Sequence, residues 1–107
     1  MFSINEYLKC SNNIQAGSIG LRNPVVCNDG FSISIQASQH HYCEPRIDNA
    51  DRYTSVECGF PSDTDCAILF EYAEDPNNLK DTVYAYVPVE KVDELINYHN
   101  RQSPITY

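Results

Sequence analysis

The residues best equipped for chemistry sit together at His40-His41-Tyr42-Cys43. A zinc centre needs three or four ligands converging as a tetrahedron. Adjacent histidines in an extended chain point to opposite sides. At most one of His40 and His41 can therefore join Cys43, leaving Cys27, Cys58 or His99 to complete the set. Neither a C-x-x-C nor an H-x-x-x-H spacing is present, so the expectation is a polar loop holding no metal. Cys43 as a nucleophile, with a histidine as base, would need a lowered thiol pKa and an oxyanion hole. No glycine-rich turn opens a helix here to supply one.

The other reactive types are no more persuasive. Asp63/Asp65, Glu74/Asp75 and Asp93/Glu94 are carboxylate pairs, but none is flanked by the apolar residues that raise a pKa for general-acid work. Four scattered glycines make no phosphate-binding loop. The sequence points to a protein that is not an enzyme and needs no cofactor.

Binding chemistry is better represented. Between Tyr53 and Asn78 there are six acids (Glu57, Asp63, Asp65, Glu71, Glu74, Asp75) and no base. Residues 1–40 are electrically balanced, so the net charge of −8 arises entirely from residues 41–107. Such a field repels nucleic acid and attracts basic surfaces within about a Debye length. Tyrosines lie in or beside this region, and tyrosine is favoured at interfaces for its large area and its hydroxyl. Tyr72, amid the acids, is the expected anchor of a protein-binding surface. An alternative is a small-ligand site, for instance for a nucleotide signal. There Arg22, Arg46 and Arg52 would take the phosphates and Tyr42 would stack on the base.

The elements that must position these residues are short. Ser3-Ile4-Asn5-Glu6 fits a capping box, and Ile4, Tyr7 and Leu8 continue a first helix to Ser11 or Asn13. Residues 18–22 suggest a strand that ends before Pro24. Val25-Val26-Cys27, then Asn28-Asp29-Gly30, then the alternating run from Phe31 to Ser38 read as a β-hairpin. Phe31, Ile33, Ile35 and Ala37 form its buried face. Residues 39–52 form a loop, and 53–59 a strand with Thr54, Val56 and Cys58 on one face. Residues 65–73 suit a strand or a helix equally. Residues 81–87, apolar on both faces, suggest a central strand. Pro88 opens a last helix with Val89, Val92, Leu95 and Ile96 on its apolar stripe. Too little helix separates the strands for βαβ crossovers. The expected fold is α+β, a small antiparallel sheet with an N-terminal and a C-terminal helix.

At 107 residues, 42% of them hydrophobic, the chain matches one domain, with 103–107 as a frayed tail. No run approaches the ~18 apolar residues of a membrane span. The N-terminus lacks the basic and apolar regions of a signal peptide. Five cysteines at wide spacings suit reduced, buried thiols in a cytosol.

Four segments carry a resemblance: 21–31 (LRNPVVCNDGF), 42–46 (YCEPR), 59–62 (GFPS) and 82–89 (TVYAYVPV). Together they resemble a group of small proteins from phages and mobile elements of Gram-positive, often gut-dwelling, bacteria. The similarity spans nearly the whole chain, though the tail lacks the glycine-rich ending of that group. The resemblance implies action in the host bacterial cytosol and a role as an inhibitor of host defence. Its most concrete form is an anti-CRISPR protein that binds a Cas nuclease, or another basic host protein, stoichiometrically. The acidic surface would stand in for nucleic-acid phosphates.

Overall fold

The turn at Asn28-Asp29-Gly30 sets the register of the sheet. Gly30 sits at φ +94°, where a side chain would be strained. Its N–H donates to Cys27 O at 3.0 Å, and the Cys27 N–H donates to Phe31 O at 2.8 Å. Asp29 Oδ1 accepts the Phe31 N–H at 2.9 Å. These bonds close β1 (Val25–Val26) onto β2 (Ser32–Gln36), with Val25 opposite Ile33. The alternation of the sequence becomes an alternation of burial. Phe31, Ile33, Ile35 and Ala37 are buried and Ser32 and Ser34 half-buried, but Gln36, expected on the outward face, is buried where it bonds Arg22.

The computed structural model describes residues 2–9 and 22–101. Within them β3 (Ser55–Gly59) adds to β2, and β4 (Val83–Pro88) adds to β3. Every pairing is antiparallel, in the order β1-β2-β3-β4. Helix α1 (Ile4–Lys9) and helix α2 (Val89–Arg101) contact each other, and α2 also contacts β4 and a 3₁₀ helix, Ala67–Tyr72. The architecture is the α+β fold expected. The continuation of the first helix past Lys9, the strand at 18–21, Cys10 and the tail lie outside the described residues.

Several local expectations change. The ambiguous 65–73 segment is the 3₁₀ helix, which contacts β4 and α2. The strand expected from Tyr53 begins at Ser55 instead, and Thr54 is exposed. Tyr53 is held elsewhere: its N–H donates to Asn5 Oδ1 at 2.7 Å and its hydroxyl to Ile47 O at 2.7 Å. Pro88 closes β4 rather than opening α2, which starts at Val89.

β4 is an edge strand, not a central one. Its outer side is nevertheless covered by irregular chain. Ala73 bridges Tyr84, Glu74 N–H donates to Val83 O at 3.0 Å, and Tyr86 N–H donates to Tyr42 O at 3.1 Å. Between the pairs Val56–Val87 and Cys58–Tyr84, Glu57 alone faces both Ala85 and Tyr86. This bulge turns Tyr86 to φ +53° and leaves its ring exposed. A left-handed aromatic residue costs roughly 1–3 kcal/mol, which the surrounding bonds must offset.

The core joins the inner face of the sheet to Val89, Val92, Leu95 and Ile96 of α2, to Ile4 and Leu8 of α1, and to Leu69. Cys27, Cys43, Cys58 and Cys66 are free and buried, acting as small apolar groups. Ile33→Ala, at a fully enclosed position, is expected to lower stability by about 2–5 kcal/mol. Ser34→Ala removes only a hydroxyl that accepts from Gln36 Nε2 at 3.1 Å, and is expected to cost about 1 kcal/mol or less. Urea denaturation of both variants checks this; comparable losses would contradict the hairpin's inside and outside.

Candidate functional site

The acidic segment is positioned by a loop tied down at several points. Leaving β3, Ser62 N–H donates to Ser32 O at 2.8 Å, and Ser62 Oγ accepts the Ser32 N–H at 2.9 Å. Asp63 Oδ1 then accepts the Asp65 N–H at 2.8 Å, the self-bonding turn that aspartate favours. α2 grips the same loop: Tyr98 Oη donates to Asp65 Oδ2 at 3.2 Å, and His99 Nε2 donates to Asp65 O at 2.8 Å.

His99 is the residue on which this arrangement turns. It is 1% exposed and stacks on Phe31 with ring centres 3.9 Å apart and planes 3° from parallel. Its Nε2 faces a carbonyl and must donate. Its Nδ1 lies 2.6 Å from Asp29 Oδ2. Burial works to raise the Asp29 carboxyl pKa, but bonds from His99 and the Phe31 N–H outweigh it and hold it below the ordinary carboxylate value. An ionised Asp29 accepts only, so both ring nitrogens of His99 face acceptors. Both nitrogens are engaged. The Asp–His pair therefore has no free base nitrogen for catalysis, and its role is to join the β1–β2 turn, α2 and the 63–66 loop.

Beside this clamp a groove of about 710 Å³ runs between the 3₁₀ helix and α2. Cys66, Ala67, Ile68 and Leu95 give it an apolar wall, and Asp65, Asp93 and Glu94 bring three carboxylates against the single guanidinium of Arg101. Burial pushes the Asp93 carboxyl up, and Glu90 adds to this, while the Ile4 N–H and Arg52 oppose it. That Ile4 N–H, at 2.7 Å from Asp93 Oδ1, gives α1 a cap supplied by α2.

The acids named from the sequence do not form one uniform face. Asp63, Asp65, Glu71, Glu74 and Asp75 are exposed. Asp75 spends its carboxylate on Asn77 N–H and Asn78 Nδ2, at 3.1 and 2.7 Å. Glu57 is half-buried on the bulge, where it accepts the Tyr42 N–H at 3.1 Å. Tyr72 is half-buried against the core rather than projecting as an anchor. Within residues 63–75 and along α2, the exposed aromatics are Phe70 on the 3₁₀ helix and Tyr98, 45% exposed, on the groove wall.

The alternative ligand set is dispersed. Arg46 lies over the Tyr42 ring at 5.2 Å, and Tyr42 meets Tyr86 at 5.9 Å. The charge of Arg52 opposes the rise of the Asp93 carboxyl without reversing it, and Arg22 is buried between α1 and β2. The His-Cys cluster is also committed to structure. Ser38 Oγ lies 2.7 Å from His41 Nδ1, and the Cys43 thiol reaches Ser38 O at 3.3 Å. Burial pushes the Cys43 thiol up and the His41 pKa down, the opposite of an activated thiolate–imidazolium pair. His40 is exposed. Among the described residues no three His, Cys, Asp or Glu side chains converge on a metal-sized site, and no helix is long and apolar enough to cross a membrane.

Sequence reasoning missed His99, Asp93 and Glu94 as parts of one place. His99 continues the α2 stripe at four residues from Leu95 and three from Ile96, so its burial was legible in the spacing. Its partner Asp29, 70 positions earlier, was not.

Asp29 has a lowered pKa in the folded chain, so its contribution is present above the ordinary carboxylate pKa, ~3.9, and fades as pH falls through the lower folded value. Asp29→Asn keeps an acceptor for Phe31 but loses the charge. It is expected to cost about 1–3 kcal/mol at neutral pH. That deficit should shrink as wild type is acidified through pH ~4 and below. Urea midpoints of both proteins across that range test this, and a pH-independent gap would contradict the clamp as drawn.

No family model, no curated protein and no solved structure matches this chain.

Proposed function

We propose that this chain is a binding protein that engages a basic partner stoichiometrically through the acidic side formed by residues 63–75 and the groove along α2. The observation that carries the reading is the absence of neutralisation. Among the described residues the only ion pair is His99–Asp29, so the acids of that side meet no lysine or arginine at contact distance. Carboxylates left unpaired around an apolar groove give both long-range attraction for a basic surface and apolar area for contact once it arrives. Phe70 and Tyr98 are the large side chains exposed there. In its most concrete form the proposal is an inhibitor of host defence, a phage- or prophage-derived protein of anti-CRISPR type. It would occupy a nucleic-acid channel of a Cas nuclease in the bacterial cytosol. The resemblance to phage and mobile-element proteins and the negative field support this form.

The test separates charge from local structure. Glu71, Glu74 and Glu94 are exposed, and among the described residues their carboxylates make no hydrogen bond. Reversing all three to lysine therefore leaves the turn-forming aspartates intact. Association with Cas nucleases of Gram-positive hosts, followed by surface kinetics and DNA-cleavage assays, should show a fall in on-rate of roughly tenfold or more. The wild-type on-rate should decline with salt, and the variant's much less. Tyr98→Ala should act on the off-rate instead, as buried anchors do. Unchanged kinetics in the triple variant, with its circular dichroism preserved, would assign the negative charge to solubility alone.

A further inference from the structure

The groove along α2 has a shape and a charge order that say what kind of segment it takes. One wall is α2, and the other is the 3₁₀ helix with the loop before it. No strand edge opens into it on which an extended segment could pair. On the α2 wall Glu94, Tyr98 and Arg101 follow one another at intervals of four and three residues, two helical turns covering about 10 Å. That is the spacing at which a second helix presents its own side chains, at i, i+3 or i+4, and i+7. The opposite wall is low, with Cys66 and Ala67 leading to Ile68. Axes of packed helices stand roughly 8–10 Å apart, according to the side chains at the contact, and small ones allow the closer approach.

The charge runs in one direction along the groove. Asp93 and Glu94 stand toward the amino end of α2, and Arg101 is its last residue. Among the described residues the Glu94 carboxylate makes no hydrogen bond. Asp93 gives only Oδ1, to the Ile4 N–H, and Asp65 only Oδ2, to Tyr98 Oη. All three keep acceptor capacity for a cation. A helix carries partial positive charge at its amino end and partial negative charge at its carboxyl end. Laid parallel to α2, it sets the first over Asp93 and Glu94 and the second over Arg101. A second copy of this chain is a poor occupant, because it brings its own charge of −8 to an acidic surface.

We propose that the groove receives one amphipathic α-helix of the basic partner, lying parallel to α2. Its apolar stripe rests on Ala67, Ile68 and Leu95, and lysines or arginines beside that stripe meet Asp93 and Glu94. The inference rests on the reading of this chain as a binder of basic proteins, and adds the form of the segment bound.

The test uses the whole protein and four synthetic peptides of about 18 residues, longer than the ~12–15 below which isolated helices are marginal. The first has leucines at i, i+3, i+4 and i+7 with lysines flanking the stripe. The second has the same composition with its leucines scattered around the helix. The third is the first with a central proline, which breaks the helix. The fourth is the first with glutamine in place of lysine. Calorimetry gives the affinities, and ¹H–¹⁵N spectra of the labelled protein locate the contact. The striped lysine peptide is expected to bind saturably, to shift the amides of Ala67, Ile68, Leu95 and Tyr98, and to exceed each of the others by roughly tenfold or more. Ala67→Phe, at an exposed position of the groove wall, keeps every carboxylate. With its circular dichroism preserved, it should weaken the striped peptide by a similar factor through the off-rate. Equal binding of the scattered or the proline peptide, or unchanged affinity in Ala67→Phe, would overturn the docked helix and leave the basic-partner reading standing. Equal binding of the glutamine peptide would overturn that reading, and this inference with it. Groove signals that move with protein concentration alone would assign the groove to a second copy and overturn the proposal, as would no binding at millimolar peptide.

Discussion

The hydrogen bond between His99 and Asp29 is the constraint around which the rest is arranged. It brings the tip of the first hairpin onto the last turns of the C-terminal helix, and Nε2 of the same ring holds the loop that leaves β3. Three segments distant in sequence thereby share one enclosed aromatic stack with Phe31. The geometry is costly to build, since a polar ring must leave water. It is sustained because both nitrogens have acceptors and one face has an aromatic partner. The groove beside it lies between α2 and the loop that His99 Nε2 and Tyr98 Oη hold at Asp65.

How much of this the sequence disclosed depended on the range of the determinant. The first hairpin was legible because its turn and its alternation are local: Asp29-Gly30 closes it and Ile33 and Ile35 face inward. The α2 stripe was legible for the same reason. The 65–73 segment was not, because Ala67 to Phe70 is too short to carry a period, and contacts with β4 and α2 set its conformation. β4 was read as central because it is apolar on both faces. That pattern reports what covers the faces, and says nothing of whether both edges carry paired strands.

The candidate sites were legible in part for a related reason. Composition located the excess of acid but not its direction, and the fold divides it. Glu57 stands on the bulge, Asp75 serves its own turn, and Asp93 and Glu94 join Asp65 from the far end of the chain. The arginines show the converse. Counted as a set they suggested one phosphate pocket, yet Arg46 serves Tyr42, Arg52 reaches Asp93 only through its charge, and Arg22 alone is enclosed. An electrically balanced N-terminal third conceals a buried cation whose nearest acceptors are neutral.

The covered outer side of β4 bears on self-association. An open strand is a template on which another copy can lay its own backbone, the first step toward swapped dimers and fibres. Here the groups at Val83, Tyr84 and Tyr86 are already engaged by Glu74, Ala73 and Tyr42. The left-handed kink at Tyr86 further spoils the flatness such stacking needs. At the opposite end β1 offers only two residues. Recognition through this sheet must therefore be made by side chains, and a concentrated solution of the folded protein has little backbone along β4 with which to polymerise.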